Sequence, residues 1–195
     1  MLNLRIKIVY FPISFQGTRM KLDYTDKVLL TLLQRDCTLS LEQLAARTGS
    51  SKTPVWNRVK KLKQQGVIRH EVALCDPDAL GLGACFFVLV QTSEHDAAWQ
   101  QQFLSAVRTR SEVMEAHRLA GDVDYILKVR VADAKAYDQF YQGLIADVKI
   151  FKVTALLSME EVKYDTAMPI AGMLWPEWVA SPIHFGPRTG GLSFS

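Results

Sequence analysis

Apolar residues recur along the chain with two different periods, and the change of period divides the chain into two parts. In the first part they repeat every three or four positions, as on one face of a helix. The stripes are Val28, Leu29, Leu32 and Leu33; then Leu41, Leu44 and Ala45; then Val55, Val59 and Leu62. From residue 84 onward, apolar or alternating runs such as CFFVLVQT and DYILKVRV stand between helical patterns. We predict three helices followed by a region of mixed strands and helices.

The second and third stripes are close neighbours and carry the signals of a helix, a tight turn and a longer helix. Ser40 can cap the first of these two helices, with Gln43 reaching back as in a capping box. Gly49 suits the left-handed conformation that closes a helix. Ser51 is the predicted N-cap of the second helix, and Pro54 falls at its third position, where its missing N–H has no intrahelical acceptor. The pattern predicts a helix-turn-helix.

Charge supports a DNA-binding role for this motif. Between Ser50 and His70 the chain has six Lys or Arg and no Asp or Glu. We predict that base edges are met by Thr53, Trp56, Asn57 and Lys60, and phosphates by Ser51, Lys52, Arg58 and Lys61. Arg58 is equally suited to brace the first helix of the motif. A solvated basic helix face is the plainer alternative, but the capped motif with charge of one sign favours DNA.

The second part of the chain reads as βαββαβ. Tyr125, Leu127, Val129 and Val131 alternate with Lys128 and Arg130, which predicts a sheet with one face covered by helices. A long last strand is predicted within VKIFKVTALLSMEEVK. The fold class is therefore α+β, with a ferredoxin-like half after the helix-turn-helix. The open sheet face also carries apolar residues, so we expect a homodimer to cover it.

Three segments carry a family resemblance. LDYTDKVLLTLLQRDCTLSLEQLAARTG, SSKTPVWNRVKKLKQQGVI and LAGDVDYILKV resemble the Lrp/AsnC (feast/famine) transcriptional regulators, over residues 21 to about 170. VALCDPDALGLG and VADAKAYDQFY look closest to cysteine-responsive members of the DecR type. The resemblance implies a winged helix-turn-helix, a ferredoxin-like RAM/AsnC domain that binds a free amino acid, and homodimers that assemble into tetramers, octamers or larger discs. L-cysteine is the expected effector, with leucine or a branched-chain metabolite as alternatives.

The loop LAGDVDY, residues 119–125, is the candidate effector site. Gly121 permits a turn that bares backbone N–H groups for a carboxylate, and Asp122 or Asp124 can pair with an ammonium. Spacing alone favours an ordinary turn with locally bonded Asp side chains. The resemblance instead assigns the pocket to Leu119, Gly121, Asp122, Asp124 and Tyr125, with Thr154 on the last strand. Ser50 and Asp147 depart from the family pattern, which has a leucine and a glycine there.

Domain boundaries follow from the changes in pattern and charge. Residues 20–80 carry a net charge of +3 and residues 81–170 a net charge of −3, so only the first part suits DNA. We predict an N-terminal extension from a start codon called too far upstream, a winged helix-turn-helix with a possible wing, a hinge, a ligand-binding and oligomerisation domain, and a flexible tail. Their ranges are 1–19, 20–75 (wing 70–74), 76–83, 84–168 and 169–195.

Other classes of protein find little support. The three cysteines have no C-x-x-C spacing and there are four histidines, so neither a disulfide scaffold, a metal site nor a cofactor is predicted. A thiol sensor on Cys85 or Cys37 is a minor alternative. No apolar run is long enough to cross a bilayer, which predicts a soluble, cytoplasmic protein. No catalytic grouping, P-loop or dinucleotide fingerprint supports an enzyme. A nucleoid-type architectural protein remains the main rival.

Overall fold

The computed structural model describes residues 21–94 and 96–170 of the 195-residue chain. These residues form five helices and four strands in the order αααβαββαβ. The helices are α1 (Tyr24–Arg35), α2 (Leu41–Thr48), α3 (Lys52–Gln64), α4 (Ala97–Arg108) and α5 (Ala134–Asp147). The strands are β1 (Ala84–Gln91), β2 (Val113–Arg118), β3 (Tyr125–Val131) and β4 (Lys152–Leu157). The predicted extension 1–19 and most of the predicted tail, from residue 171, lie outside the described residues.

Helices α1, α2 and α3 pack around a small apolar core. Leu29 and Val55 are fully buried there, with Leu32, Leu44 and Ala45 nearly so. Asp23 caps α1 by accepting a hydrogen bond from the backbone N–H of Asp26 at 2.8 Å. Asp26 therefore lies inside the first turn of α1. Its carboxylate returns a hydrogen bond to the N–H of Asp23, which completes a capping box.

The chain between α3 and the sheet has no regular structure. Residues 70–74, predicted as a possible wing, form no strand with the described residues. Turns occupy residues 77–81, and the hinge at residues 76–83 stays a prediction. Val72 and Leu74 in this stretch are exposed. The turn at residues 77–81 is stabilised at its start, where the side chain of Asp76 accepts a hydrogen bond from the N–H of Asp78 at 2.9 Å.

The four strands form one antiparallel sheet in the order β2-β3-β1-β4, which confirms the predicted βαββαβ arrangement. The central strands β1 and β3 pair Val88 with Leu127, and the edge strand β4 pairs Thr154 with Leu89. The prediction of a long last strand is wrong, because β4 ends at Leu157 and the residues after it form no further strand. Beyond that point Ser158 still donates its N–H to the carbonyl of Cys85.

One face of the sheet is buried beneath α4 and α5. Val88, Leu127 and Val129 contribute fully buried side chains from the strands, and Phe103 and Leu144 contribute them from the two helices. The alternation of buried and half-buried residues along β3 follows directly from the sequence pattern. The opposite face has no helix over it among the described residues, and it presents Phe87, Leu156 and Met114 as exposed apolar side chains.

The chain divides into two compact units. One consists of Leu74–Val162, with the sheet and its two helices. Within the described residues, the other consists of residues 21–73 together with residues 163–170, which we call the returning segment. The predicted ligand-binding domain, which extends to residue 168, differs from this grouping at its C-terminal boundary. No helix of the described residues is long and apolar enough to cross a membrane.

The returning segment is held against α1 by side-chain contacts at two positions. Gln34 donates to the carbonyl of Met168 at 3.4 Å and accepts from its N–H at 2.7 Å. Both terminal nitrogens of Arg35 contact the carboxylate of Asp165, at 3.3 and 3.2 Å. The carboxylate of Asp165 also accepts from the N–H of Ala167, and these bonds lower its pKa. The segment is thus ordered against the last turn of α1.

Candidate nucleic-acid interface and effector loop

The turn between α2 and α3 follows the sequence prediction at Ser40 and Gly49 but not at Ser51. Ser40 and Gln43 exchange the two hydrogen bonds of a capping box, at 2.8 and 3.2 Å. Gly49 adopts φ 62°, which an L side chain takes up only at a cost, and so lets the chain turn sharply after α2. Ser51 occupies the N-cap position of α3, but its hydroxyl makes no capping hydrogen bond. The predicted capping role of that hydroxyl is therefore corrected.

Helix α3 separates an apolar face from a polar one. Val55 and Leu62 are buried against the other helices, with 0% and 1% of their surface exposed. The opposite side consists of exposed residues at helical spacing, namely Thr53, Trp56, Asn57, Lys60 and Lys61. Within the described residues, neither Lys60 nor Lys61 has an acidic partner within 4.0 Å. This face presents hydrogen-bond donors and positive charge to an incoming partner.

Arg58 is directed toward α1. Its Nη1 atom lies 2.5 Å from a carboxylate oxygen of Asp23 and 2.8 Å from one of Asp26. The hydrogen bond from the N–H of Asp26, followed by that from Arg58, lowers the pKa of the Asp23 carboxyl, and the same ion pairs raise the pKa of Arg58. The sequence left phosphate contact and bracing of the motif's first helix, α2, as alternatives. The observed contacts brace α3 against α1 instead.

Two further lysines of the basic stretch have acidic partners. The ammonium of Lys52 pairs with the carboxylate of Glu42 on α2, and both side chains are 60% exposed. This hydrogen bond is the main cause of the lowered pKa of Glu42. Lys63 pairs with Glu71 at 2.8 Å. Because exposed ion pairs are weak, Lys52 can exchange its partner for a phosphate at small cost.

The loop between β2 and β3 is closed at its base and open at its tip. Leu119 donates its N–H to the carbonyl of Asp124 at 2.8 Å, and Asp124 donates its own to Val90 at 3.0 Å. Gly121 adopts φ 153°. In the described part of the chain, the N–H groups of residues 120–123 donate to no protein acceptor. The tip therefore offers several backbone donors to an anion, as the sequence predicts.

The two aspartates of this loop have different surroundings. The carboxylate of Asp124 accepts from the N–H of Thr92 at 2.8 Å, so it ties the loop to the end of β1. The backbone carbonyl of Asp122 accepts from the side chain of Gln91 at 2.5 Å, while its carboxylate remains exposed. Of the two predicted ammonium partners, Asp122 is therefore the more accessible, and Asp124 fits the alternative of a locally bonded turn residue.

Tyr125 and Thr154, two of the remaining predicted effector residues, lie on opposite faces of the sheet. Tyr125 is only 5% exposed, and its ring packs against Phe103 with 4.5 Å between centroids. Its side chain therefore supports the loop from the core, and its place in the effector site stays a prediction. Thr154 is exposed on the open face, where strand register places Leu89, Ile126 and His117 in line with it across the sheet. Leu119 is 40% exposed.

Charged side chains form a small cluster farther along the open face. Glu115 lies 3.0 Å from the ammonium of Lys128 and 3.5 Å from His117. The hydrogen bond from Lys128 is the main cause of the lowered pKa of Glu115.

Cys85 is buried, whereas Cys37 and Cys75 are exposed. The described residues contain no group of three His, Cys, Asp or Glu side chains that could hold a metal ion.

Comparison with known proteins accounts for both units. Residues 22–69 match a family model described as winged helix-turn-helix DNA-binding. Residues 85–168 match one described as the Lrp/AsnC ligand binding domain. The chain is also 44% identical over 150 residues to the DNA-binding transcriptional activator DecR of Escherichia coli K12, a match that covers 76% of this chain and 99% of that protein. The chain belongs to the Lrp/AsnC family.

Other relatives and solved structures agree with this assignment. The glutamate uptake regulatory protein of Zymomonas mobilis is 43% identical over 150 residues, covering 77% of this chain and 92% of that protein. The crystal structure of an AsnC family transcriptional regulator from Agrobacterium tumefaciens superposes with a TM-score of 0.74 at 41% identity, covering 76% of this chain and 97% of that one. A transcriptional regulator of Neisseria meningitidis in complex with L-Met gives 0.73 at 28% identity, with the same coverages.

Membership of the Lrp/AsnC family establishes the general role of the chain. It is a DNA-binding transcriptional regulator with a ligand-binding domain, and its relatives are regulators and not enzymes. The predicted fold class is confirmed, with a winged helix-turn-helix followed by a four-stranded antiparallel sheet and its helices. The functional residues that sequence reasoning did not foresee are Asp23 and Asp26, because a partner on another helix leaves no local signal.

Proposed function

We propose that this Lrp/AsnC regulator recognises specific DNA sequences through the exposed face of α3 and responds to a free amino acid held by the loop at residues 119–124. The observation that carries the proposal is the outward face of α3, where Thr53, Trp56, Asn57 and Lys60 are all exposed on a helix whose other side is buried. A helix of this kind fits the major groove, in which each base pair presents a distinct set of donors and acceptors.

The division of roles along α3 follows from side-chain chemistry. The amide of Asn57 and the hydroxyl of Thr53 can exchange hydrogen bonds with base edges. Ser51, Lys52 and Lys61 lie at or near the ends of the exposed face and suit phosphate contacts. Arg58 is assigned to bracing, because its guanidinium is already shared between two carboxylates of α1.

The effector proposal rests on three groups that could meet a zwitterion. The free N–H groups at the tip of the loop suit a carboxylate, and the exposed carboxylate of Asp122 suits an ammonium. Thr154 offers a hydroxyl on the open sheet face. L-cysteine is the proposed ligand, by likeness to the cysteine-responsive subgroup. Leucine and branched-chain metabolites remain competitors. Methionine and glutamate join the panel, because one relative was crystallised with L-Met and another is named for glutamate uptake.

Regulation would proceed through assembly. A homodimer would cover the exposed apolar side chains of the open sheet face, and dimers would associate further. An amino acid changes DNA affinity only if it binds one arrangement of the DNA-binding units more tightly than another. The competing function, an architectural protein that wraps DNA, predicts cooperative binding with little sequence preference and little response to amino acids.

The deciding experiment is fluorescence anisotropy with the full-length protein. A labelled duplex from upstream of the protein's own gene is titrated at fixed salt, in parallel with an unrelated duplex, with and without each amino acid of the panel. Selective binding that shifts with L-cysteine supports the whole proposal. Selective binding that shifts only with another amino acid replaces the ligand. If binding to both duplexes is equal and weak, the protein is next used to select duplexes from a random library. If the selected duplexes also bind no better than unrelated DNA, the architectural alternative is favoured.

A further inference from the structure

Trp56 is an unusual residue for the middle of a DNA-facing surface. Its side chain is 48% exposed, although the ring is large and apolar. The other exposed residues of this face are Thr53, Asn57, Lys60 and Lys61, which are polar or charged. An exposed indole ring does not stabilise the unit by burial to the extent that a core residue does. Its position on the surface therefore points to contact with a partner.

Lys60 lies one helical turn after Trp56, and its ammonium is 4.8 Å from the centroid of the indole ring. This distance is within the range of a cation–π interaction, which restrains the lysine over the ring. The pair therefore forms one composite surface. It has an apolar part, supplied by the uncovered portion of the indole, directly beside a positively charged hydrogen-bond donor.

The chemistry of the major groove offers one base that matches this surface. Thymine presents its C5 methyl group beside the O4 acceptor, so an apolar group and an acceptor are adjacent. Cytosine has no methyl group, and in place of O4 it presents an amino donor. An ammonium is itself only a donor, so it cannot form a hydrogen bond with that amino group. Adenine and guanine present no methyl group.

We propose that Trp56 and Lys60 together read a thymine, with the indole against the methyl group and the ammonium donating to O4. This inference rests on the proposed entry of α3 into the major groove, and it names the base that this part of the helix selects. It assigns Trp56 and Lys60 a joint role in specificity, beyond the general attraction of the basic helix to phosphates.

The test uses base analogues in duplexes that the full-length protein selects from a random library. In the best-bound duplex, each thymine is replaced singly by uracil, which removes the methyl group but keeps O4 and the pairing with adenine. Wild-type protein should lose about fourfold in affinity at one thymine per half-site, the factor that corresponds to one methyl-sized group leaving water. At that position, replacing the T·A pair by C·G should cost more than uracil does, and 5-methylcytosine should recover only the methyl part.

Protein variants separate the two halves of the surface. Trp56→Ala should bind thymine and uracil duplexes equally, and Lys60→Met should lose the discrimination between uracil and cytosine. Lys61→Ala is the matched control, since it removes a charge from the same face and should weaken both duplexes without changing their ratio. Circular dichroism and anisotropy on unrelated DNA check that each variant is folded and still binds DNA.

The possible failures are distinguishable. If the library yields no preferred duplex, the proposed sequence-specific function fails. If a preferred duplex is found but every thymine tolerates uracil, or Trp56→Ala retains the wild-type ratio between thymine and uracil, the thymine inference alone fails. A Trp56→Ala variant that retains this ratio but changes the assembly size would show that the ring belongs to a protein contact.

Discussion

Arg58 carries a positive charge on α3, the helix that we propose faces DNA, yet its guanidinium is engaged by Asp23 and Asp26. The Asp26 side chain is only 12% exposed, so removal of its partner leaves a carboxylate poorly solvated. We expect Arg58→Ala to lower the free energy of unfolding of the DNA-binding unit by about 1–3 kcal/mol. Hydrogen exchange of amides in α1 and α3 measures this loss in the relevant unit. In an Asp26→Asn background the same substitution should cost clearly less, because no charge is then stranded.

The lowered pKa of Asp23 adds a dependence on pH to this contact. Because the carboxyl has a lower pKa in the folded state, its contribution is complete above the unfolded value of about 3.9 and is lost as pH falls through the folded value. Protection of the first turn of α1 should therefore decline at acidic pH below about 4. A decline of equal size in Asp23→Asn protein would contradict this assignment.

Lys61 provides the contrast to Arg58, because it is exposed and has no acidic partner within 4.0 Å in the described part of the chain. A lysine that neutralises one phosphate releases about one counterion. Lys61→Ala should lower DNA affinity evenly across sequences and reduce the salt slope of log Kd by about one unit. Arg58→Ala should leave the slope unchanged if bracing is its role. Lys135→Ala, on the exposed surface of α5, is the control with no expected effect.

At the scale of elements, the returning segment supplies partners for the last turn of α1. The ion pair between Arg35 and Asp165 is partly exposed, with 25% and 30% of the side chains accessible. We expect Arg35→Ala to destabilise the contact by about 0.5–1 kcal/mol, near the upper end for surface ion pairs. Faster hydrogen exchange at the C-terminal end of α1, with α4 and α5 unaffected, is the measurement. In a double-mutant cycle, Arg35→Ala should cost much less free energy in an Asp165→Asn background than in the wild-type protein.

Local signals in the sequence were sufficient for most element boundaries. Ser40 with Gln43 and the glycine at 49 defined α2, because caps act within a few residues of the helix end. Alternation located β3, since a strand with one buried face must repeat every two residues. The excess length predicted for the last strand arose because its ends are set by where pairing with β1 stops, and the amino-acid sequence on either side of Lys152–Leu157 does not show this.

The site was predicted less completely, for a physical reason. The exposed face of α3 follows from helical periodicity, so Thr53 and Trp56 could be identified at once. For Tyr125 the alternation along β3 and the loop motif pointed to different roles, and its buried position agrees with the alternation. The contacts of Arg58 and Gln34 join residues far apart in sequence, and the sequence around either partner does not indicate which residue it contacts.

At the scale of the whole molecule, the open sheet face is the surface through which copies of the chain should associate. Phe87 and Leu156 are paired across β1 and β4 and are both exposed there. Phe87→Asp should place a charge in the buried centre of such an interface and shift the protein to smaller assemblies, as measured by light scattering coupled to size exclusion. Ile145→Asp is a matched control, because Ile145 on α5 is 38% exposed and Phe87 is 36% exposed. An equal shift in both variants would argue against this face.

The order in which the chain leaves the ribosome gives the returning segment a further consequence. The three helices of the DNA-binding unit are synthesised first, but residues 163–170 follow only after the whole of Leu74–Val162 has been made. Because domains generally fold as they emerge, α1 lacks Asp165 and Met168 as partners throughout synthesis of the sheet. A chain interrupted within the sheet therefore carries a DNA-binding unit whose α1 lacks these two contacts, and local opening of α1 should cost less free energy in it than in the complete chain.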